Sequence, residues 1–254
     1  VYGDRSIEPT YLNPLMFYWA AQSHLGDKDN VIMGLDVDMR PIRDTRIYAS
    51  YFIDDLKKAK IFSDDYANKF SIQVGAHRVD PLGFKDSDFN LEYVRIEPWI
   101  YTHKYPINTY RHFDSPLGYN LPPNSEMYSA SVRKMFPSFF TVELDFERIR
   151  HGANYIEEQG ITKNVGGSLH YGWQPGDERK VKDWLSGERN KWTALTFNVR
   201  WNPWPDLLLS SGYKKVWTGD PIFSAPSNSD LNLEQNYLNS LRSGWYLDGQ
   251  WGLF

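Results

Sequence analysis

An all-β fold is the class this sequence predicts, an antiparallel β-barrel that crosses a membrane by its strands. Three observations predict it. Apolar and polar residues alternate with period two along most of the chain, which marks extended strands whose two faces meet different surroundings. Aromatic residues make up 16% of the chain, 17 Tyr and 10 Trp among them. That density suits the aromatic girdles of membrane barrels, or the stacking platforms of glycan-binding surfaces. No run approaches the ~20 apolar residues of a transmembrane helix, since the longest stretch is only Pro14 to Ala21.

The first thirty residues are punctuated by Pro9, Asn13-Pro14 and Gly26, and predict no strand, only a short helix around Leu15 to His24. Alternation then begins. Val31, Met33, Leu35, Val37 and Met39 share one face, with Asp36, Asp38 and Arg40 on the other. Pro41 to Asp44 reads as a turn, and Ile47, Ala49, Tyr51 and Ile53 form the returning strand of a hairpin. Phe70, Ile72, Val74 and Ala76 give the next strand.

Glu92 to His103 alternates most strictly. Val94, Ile96, Pro98 and Ile100 fall on one face, and Tyr93, Arg95, Glu97, Trp99 and Tyr101 on the other. The second face mixes opposite charges with large aromatics, a composition that suits the wet and crowded lumen of a barrel. Further strands are expected at 125–136, from Phe140 to Glu147, from Val165 to Trp173, from Thr193 to Trp201, and near 207–217 and 244–254. The total is about ten, many of them reaching the roughly 9–11 residues a tilted strand needs to cross a bilayer. Connections 41–45, 137–138 and 202–206 are short, whereas 104–124, 149–162 and 218–243 are long, the asymmetry of porin-type barrels. The 174–191 connection breaks this rule. Leu253, Trp251, Leu247 and Trp245 form the apolar set of the last strand, so Phe254 sits on the opposite parity.

No repeat, low-complexity segment or linker divides the chain, so residues 1–254 read as a single barrel domain. It opens Val1-Tyr2-Gly3-Asp4 with neither an initiator Met nor a signal peptide, and is expected to lack its N-terminal strands. A net charge of −4 and the absence of a long basic run argue against nucleic acid as a partner. The lack of Cys excludes a disulfide scaffold and a thiolate metal site.

The candidate motifs are few. Asp54-Asp55, Asp64-Asp65 and Glu157-Glu158 are adjacent pairs, and adjacent strand residues point to opposite faces. Glu143, Asp145 and Glu147 do share a face, with spacing that would allow a glycosidase pair. The competing and favoured reading is a lumen-facing acidic row, neutralised by arginines such as Arg95, Arg133 and Arg200 on comparable strands. The six histidines are scattered without ligand spacing, so no metal and no other cofactor is expected. Ser168 and His170 share a face, but nothing marks that serine as activated. The loop 104–124 gathers Tyr105, Tyr110, Arg111, His112, Phe113, Asp114 and Tyr119. Rings for the apolar faces of sugars, with Arg and Asp for their hydroxyls, make a sugar-binding mixture; a loop folded into the barrel on its own hydrogen bonds would use the same residues.

The strand Glu92 to His103 resembles the "EYxRxxPxxYTH" strand of the Wzi-type capsule assembly proteins. Tyr110 to Gly118 with Pro122-Pro123-Asn124-Ser125-Glu126 is similar to that family's "PLGxxxGPNxE" segment, with Pro122 standing where Gly is expected. Tyr11 to Pro14, the turn Gly26 to Asn30 and the "GLDxxxR" strand at Gly34-Leu35-Asp36 agree as well. The likeness covers residues 7–150 and continues beyond them by pattern alone. It implies a Gram-negative outer-membrane barrel of about eighteen strands, of which this chain would be a C-terminal portion. It further implies a lectin, not an enzyme, that binds capsular polysaccharide and helps anchor it at the cell surface. Outer-membrane lipid and the capsule export proteins would be its other partners.

On that reading Arg95, Glu97, Tyr101, Arg111, His112 and Asp114 are the candidate glycan-binding or lumen residues, with Trp99 and Trp173 as stacking or interface aromatics. Two other classes stay open. One is a soluble β-sandwich, either a glycan-binding module or a glycoside hydrolase using Glu143 or Glu147; the other is a porin-type solute channel.

Overall fold

The computed structural model describes residues 8–13, 15, 18–26, 28–55, 63, 65–113, 115–137, 139–157, 160–174, 177, 182–204, 206–219 and 244–251. The chain is mostly antiparallel sheet. Its long strands are β1 (Met33–Ile42), β2 (Thr45–Asp55), β3 (Lys69–Val79) and β4 (Ser87–Ile96), then β7 (Ser125–Phe136), β8 (Phe140–Ala153), β11 (Glu188–Trp204), β12 (Leu207–Gly219) and β13 (Gly244–Trp251). Two-residue strands β5 (Arg111–His112) with β6 (Ser115–Pro116), and β9 (Tyr155–Ile156) with β10 (Thr162–Lys163), form small hairpins inside the loops. A short 3-10 helix (Pro9–Leu12) and the α-helix α1 (Tyr18–His24) precede the sheet, α1 within the span where a helix is expected.

The nine long strands make one sheet in the order β1-β2-β3-β4-β7-β8-β11-β12-β13, each pairing with its neighbours in the chain. This is a meander. Among the described residues its connections alternate: 43–44, 80–86 and 137–139 join strands at one rim, and 97–124 and 154–187 at the other. None of the helices among the described residues is long and apolar enough to cross a membrane.

Register sorts the side chains into two faces. Cross-strand partners Val37↔Ala49, Ala49↔Val74, Val74↔Tyr93, Tyr93↔Tyr128 and Tyr128↔Arg148 define the first. Leu144↔Phe197 and Trp201↔Leu209 continue it across β8, β11 and β12. Through the middle of the strands this face is apolar and bare: Leu35 is 64% exposed, and Val74, Leu91, Val132, Leu144 and Phe197 are all at least 40% exposed. Toward the long loops it carries Arg95, Arg148 and Arg150, with Arg150 donating to the buried Glu126. In β13 the register sets Trp245, Leu247 and Trp251 opposite Tyr213, Ser211 and Leu207, while Phe254 lies outside the described residues.

The second face is polar toward the short turns. Arg46 donates to Asp38 at 2.6 Å, Ser50 to Asp36 at 2.5 Å, and His77 sits 3.3 Å from Asp88. Glu143, one of the three residues of the acidic row, receives Arg133 at 2.8 Å and Arg200 at 3.2 Å from the neighbouring strands. Toward the long loops the same face turns apolar. Val94, Ile96, Met127, Ile149 and Trp192 meet Ile100, Tyr101, Leu121 and Leu169 from the loops, and this is the hydrophobic core.

Three expectations are corrected. The strand at 92–103 stops at Ile96, because both ladders run out there: Ile96 pairs with Ser71 on one side and Ser125 on the other, and Pro98 has no N–H to carry the pairing further. Trp99 and Tyr101 have φ of 59° and 69°, which no strand contains. The polarity of that segment is also reversed. Val94 and Ile96 point into the covered core, while Tyr93 and Arg95 lie on the opposite face of the sheet. Third, 165–173 is not a strand. Asn154 Oδ1 accepts from the N–H groups of Val165 and Gly167, and Asn164 Oδ1 accepts from that of Gly166. These side chains satisfy the backbone that a ladder would otherwise use. With that strand removed, 154–187 becomes one long loop and the alternation of short and long connections is restored.

Candidate functional site

The long loops do not stand free of the sheet. The 97–124 loop folds back over the inner face and seats three tyrosines on it. Tyr101 is fully buried, with Phe52 at 5.4 Å and Tyr110 at 6.1 Å between ring centroids. Its backbone N–H donates to Asp54 Oδ2 at 2.7 Å, and its hydroxyl accepts from the Tyr119 N–H at 3.2 Å. Gly118 lies flat on this ring: a Cβ there would come within 2.5 Å of the Tyr101 hydroxyl oxygen. The "PLG" of the loop thus has a packing reason.

Below the tyrosines, Glu92 gathers three donors. Tyr48 and Tyr119 hydroxyls each donate at 2.6 Å, and Gln73 Nε2 at 2.7 Å. Gly75 makes room for Tyr48, since a Cβ at that position would stand 2.2 Å from its ring. Burial pushes the Tyr101 hydroxyl up to about 12, and burial with the bond to Glu92 raises that of Tyr119. Both phenols are therefore neutral donors or acceptors throughout the physiological range.

A second cluster sits where β4 leaves the sheet. Glu97 is fully buried; one of its carboxylate oxygens meets Arg95 and the other meets Lys182 Nζ at 2.7 Å. The Arg95 guanidinium stacks 4.0 Å from the Trp184 ring, and the Lys182 ammonium lies 4.8 Å from that of Phe70. Asn124, with φ of 58° and no exposure, clips the 154–187 loop to the same place. It donates to the carbonyls of Gly152 and Ser186 and accepts from the N–H of Leu185 at 2.7 Å.

Of the candidate residues read from the sequence, Arg95 and Glu97 pair with each other, and Trp99 and Tyr101 are buried in the loop cover. Trp173 joins Trp99 through Tyr66, at 6.0 and 6.5 Å between centroids. Arg111 contacts His170 Nδ1, and His112 is exposed beside Phe113. Asp114 lies outside the described residues. These positions are not one site: they divide between the buried cover and the exposed β5–β6 hairpin.

Sequence reasoning missed Glu92, Tyr48, Lys182, Trp184 and Asn124, as well as Tyr11, Tyr18, Asp29 and Asn30, which surround a cavity with Tyr110. The signal for Glu92 was present, a carboxylate on the face opposite Tyr93. That for Lys182 was not, because 85 residues of chain separate it from Glu97.

Ser168 Oγ accepts from the N–H groups of His170 and Tyr171, so this serine turns its own loop. Ser125 Oγ and His151 Nδ1 are 2.9 Å apart, but both are buried among the loop cover. Glu143 lies between two guanidiniums, those of Arg133 and Arg200. No group of three or more His, Cys, Asp or Glu able to hold a metal ion occurs among the described residues.

No family model, curated protein or solved structure matches the chain.

Proposed function

We propose that the chain forms the wall of a Gram-negative outer-membrane β-barrel, and that its long-loop rim binds capsular polysaccharide and holds it at the cell surface. One observation carries this reading: the polarity of the sheet is inverted relative to a water-soluble one. Its first face is bare and mostly apolar through the middle of the strands, while its second face bears the ion pairs of the short-turn end and the loop cover. From Leu195 to Trp201 that face runs six residue steps of about 3.3 Å, or ~20 Å, close to the ~25 Å band of membrane barrels. A bare face of that extent in water would be a liability to aggregation. The gathering of the long loops on one rim supports the assignment of that rim to the cell exterior.

Closure belongs to the same proposal. Among the described residues β1 and β13 each pair with one neighbour, and further strands would complete the wall. The tyrosine-rich loops fill the lumen at the exterior end, which favours a plugged binding protein over a solute channel. The protein binds and does not cleave in this reading.

The test is envelope fractionation of cells expressing the protein, with boiled and unboiled samples compared by gel electrophoresis. A heat-modifiable band in the outer-membrane fraction, together with loss of surface capsule on deletion of the gene, is the expected result. A band in the soluble fraction that boiling does not shift would overturn the barrel, and unchanged capsule retention would overturn the role.

A further inference from the structure

We propose that the cavity between the N-terminal segment and the 97–124 loop is a subsite for a neutral sugar ring of the bound glycan. This deepens the glycan-binding reading above and rests on it. The cavity has a volume of about 430 Å³, within the range of small-molecule sites. Tyr11, Tyr18 and Tyr110 form its aromatic walls. The Tyr11 and Tyr18 rings lie 5.9 Å apart at 62°, edge to face, so they bound the cavity from two directions. Tyr18 remains 38% exposed at its mouth.

Two polar residues converge on the same space, Asp29 at 2% exposure and Asn30 at 4%. Both are fixed before any ligand arrives. The Tyr11 hydroxyl donates to Asp29 Oδ2 at 2.6 Å, and Asn30 Nδ2 donates to the carbonyl of Asn108 at 3.1 Å. Asn108 in turn donates to the carbonyl of Lys28 at 2.8 Å, which ties the N-terminal segment to the loop that supplies Tyr110. Such a preorganised pocket loses little entropy on binding.

The ligand class follows from the lining. A pyranose offers an apolar C–H face for a tyrosine ring and hydroxyl groups for a carboxylate and an amide. The only charged side chain lining the cavity among the described residues is Asp29, and no Lys or Arg lines it. A uronate or sialate would therefore bring a second carboxylate against a buried one, at a cost in a poorly solvated site. A neutral hexose carries no such penalty.

The experiment is calorimetric titration of the detergent-solubilised, heat-modifiable protein with gluco-, galacto- and manno-pentaose and with penta-galacturonate. The intact protein is expected to bind at least one neutral pentasaccharide more tightly than the uronate. Tyr18→Ala, which removes a partly exposed ring, should weaken that binding about tenfold or more, and Tyr18→Phe should keep it within about twofold. Tighter uronate binding, unchanged affinity in Tyr18→Ala, or equal losses in Tyr18→Ala and Tyr18→Phe would each overturn the subsite while leaving glycan binding standing. Folded protein that binds none of the four oligosaccharides would overturn the glycan reading and the subsite with it.

Discussion

The two ends of the inner face are made by the same strands and the same alternation, yet they are different materials. Toward the short turns the face is wet. Asp36, Asp38, Arg46, Asp88, Arg133 and Arg200 pair across strands and remain open to solvent, and Glu143 is buried between its two arginines. Toward the long loops it is a close-packed core in which Val94, Ile96 and Ile100 have no exposure at all. A single strand makes the change within its own length: β4 begins with Asp88 and Asn90 on this face and ends with Val94 and Ile96. The difference teaches that the polarity of a strand face follows what covers it. Water reaches the lower half, and the 97–124 and 154–187 loops cover the upper half.

The largest effect should come from the buried charge cluster at the covered end. Glu97→Gln removes the carboxylate facing Lys182, whose side chain is only 4% exposed, and should cost about 3–5 kcal/mol in denaturant unfolding. Ile96→Ala should cost about 2–5 kcal/mol by leaving a cavity between the sheet and the loops. A loss under 1 kcal/mol would mean that the loop cover collapses readily and that the two ends differ less than their packing suggests.

Leu144→Arg tests the outer face, where Leu144 is 44% exposed. In a bilayer the change should cost about 2–4 kcal/mol near the midplane, read as lost insertion into lipid vesicles. A fully inserted variant would count against lipid as the neighbour of that face.

Alkaline pH should loosen the covered end selectively. Tyr101 ionises near 10 when unfolded and near about 12 in the fold, so the fold favours its protonated form. That stabilisation is complete below pH 10 and disappears as pH rises through 12. It amounts to about 2–3 kcal/mol, so the melting temperature of the native protein should fall relative to that of Tyr101→Phe across this window. The smallest effect belongs to the wet end. Glu143→Gln keeps a hydrogen-bonding side chain beside two arginines that are nearly half exposed, and should change stability by no more than about 1 kcal/mol. A larger loss there would make the polar row a structural element equal to the core.

Much of the wall was legible because alternation is a backbone property. The strand at 125–136 runs as read, and those at 47–54, 70–77, 140–147 and 193–201 only lengthen. The errors share one cause. Glu97 to Tyr101 and Val165 to Trp173 alternate as strands do, but have no neighbouring ladder to join. At the first, Pro98 was the readable warning; at the second, Gly166, Gly167 and Gly172 were. The candidate site was less legible. Charge groups Arg95 with the polar face, whereas at the covered end of β4 the apolar residues take the face that the other strands give to polar ones.

The sequence by itself determined which residues share a face, where the hairpins turn, and that one wall would be apolar from strand to strand. Period-two geometry leaves no other choice once a segment is extended. Only the tertiary structure decided which face each set would occupy at the loop end, that Lys182 would meet Glu97, and that Tyr11, Tyr18 and Tyr110 would enclose one cavity. Parity separates residues into two sets but carries no information about cover. Cover is supplied by loops that lie far away along the chain, and their positions are fixed by side-chain bonds such as those of Asn108 and Asn124.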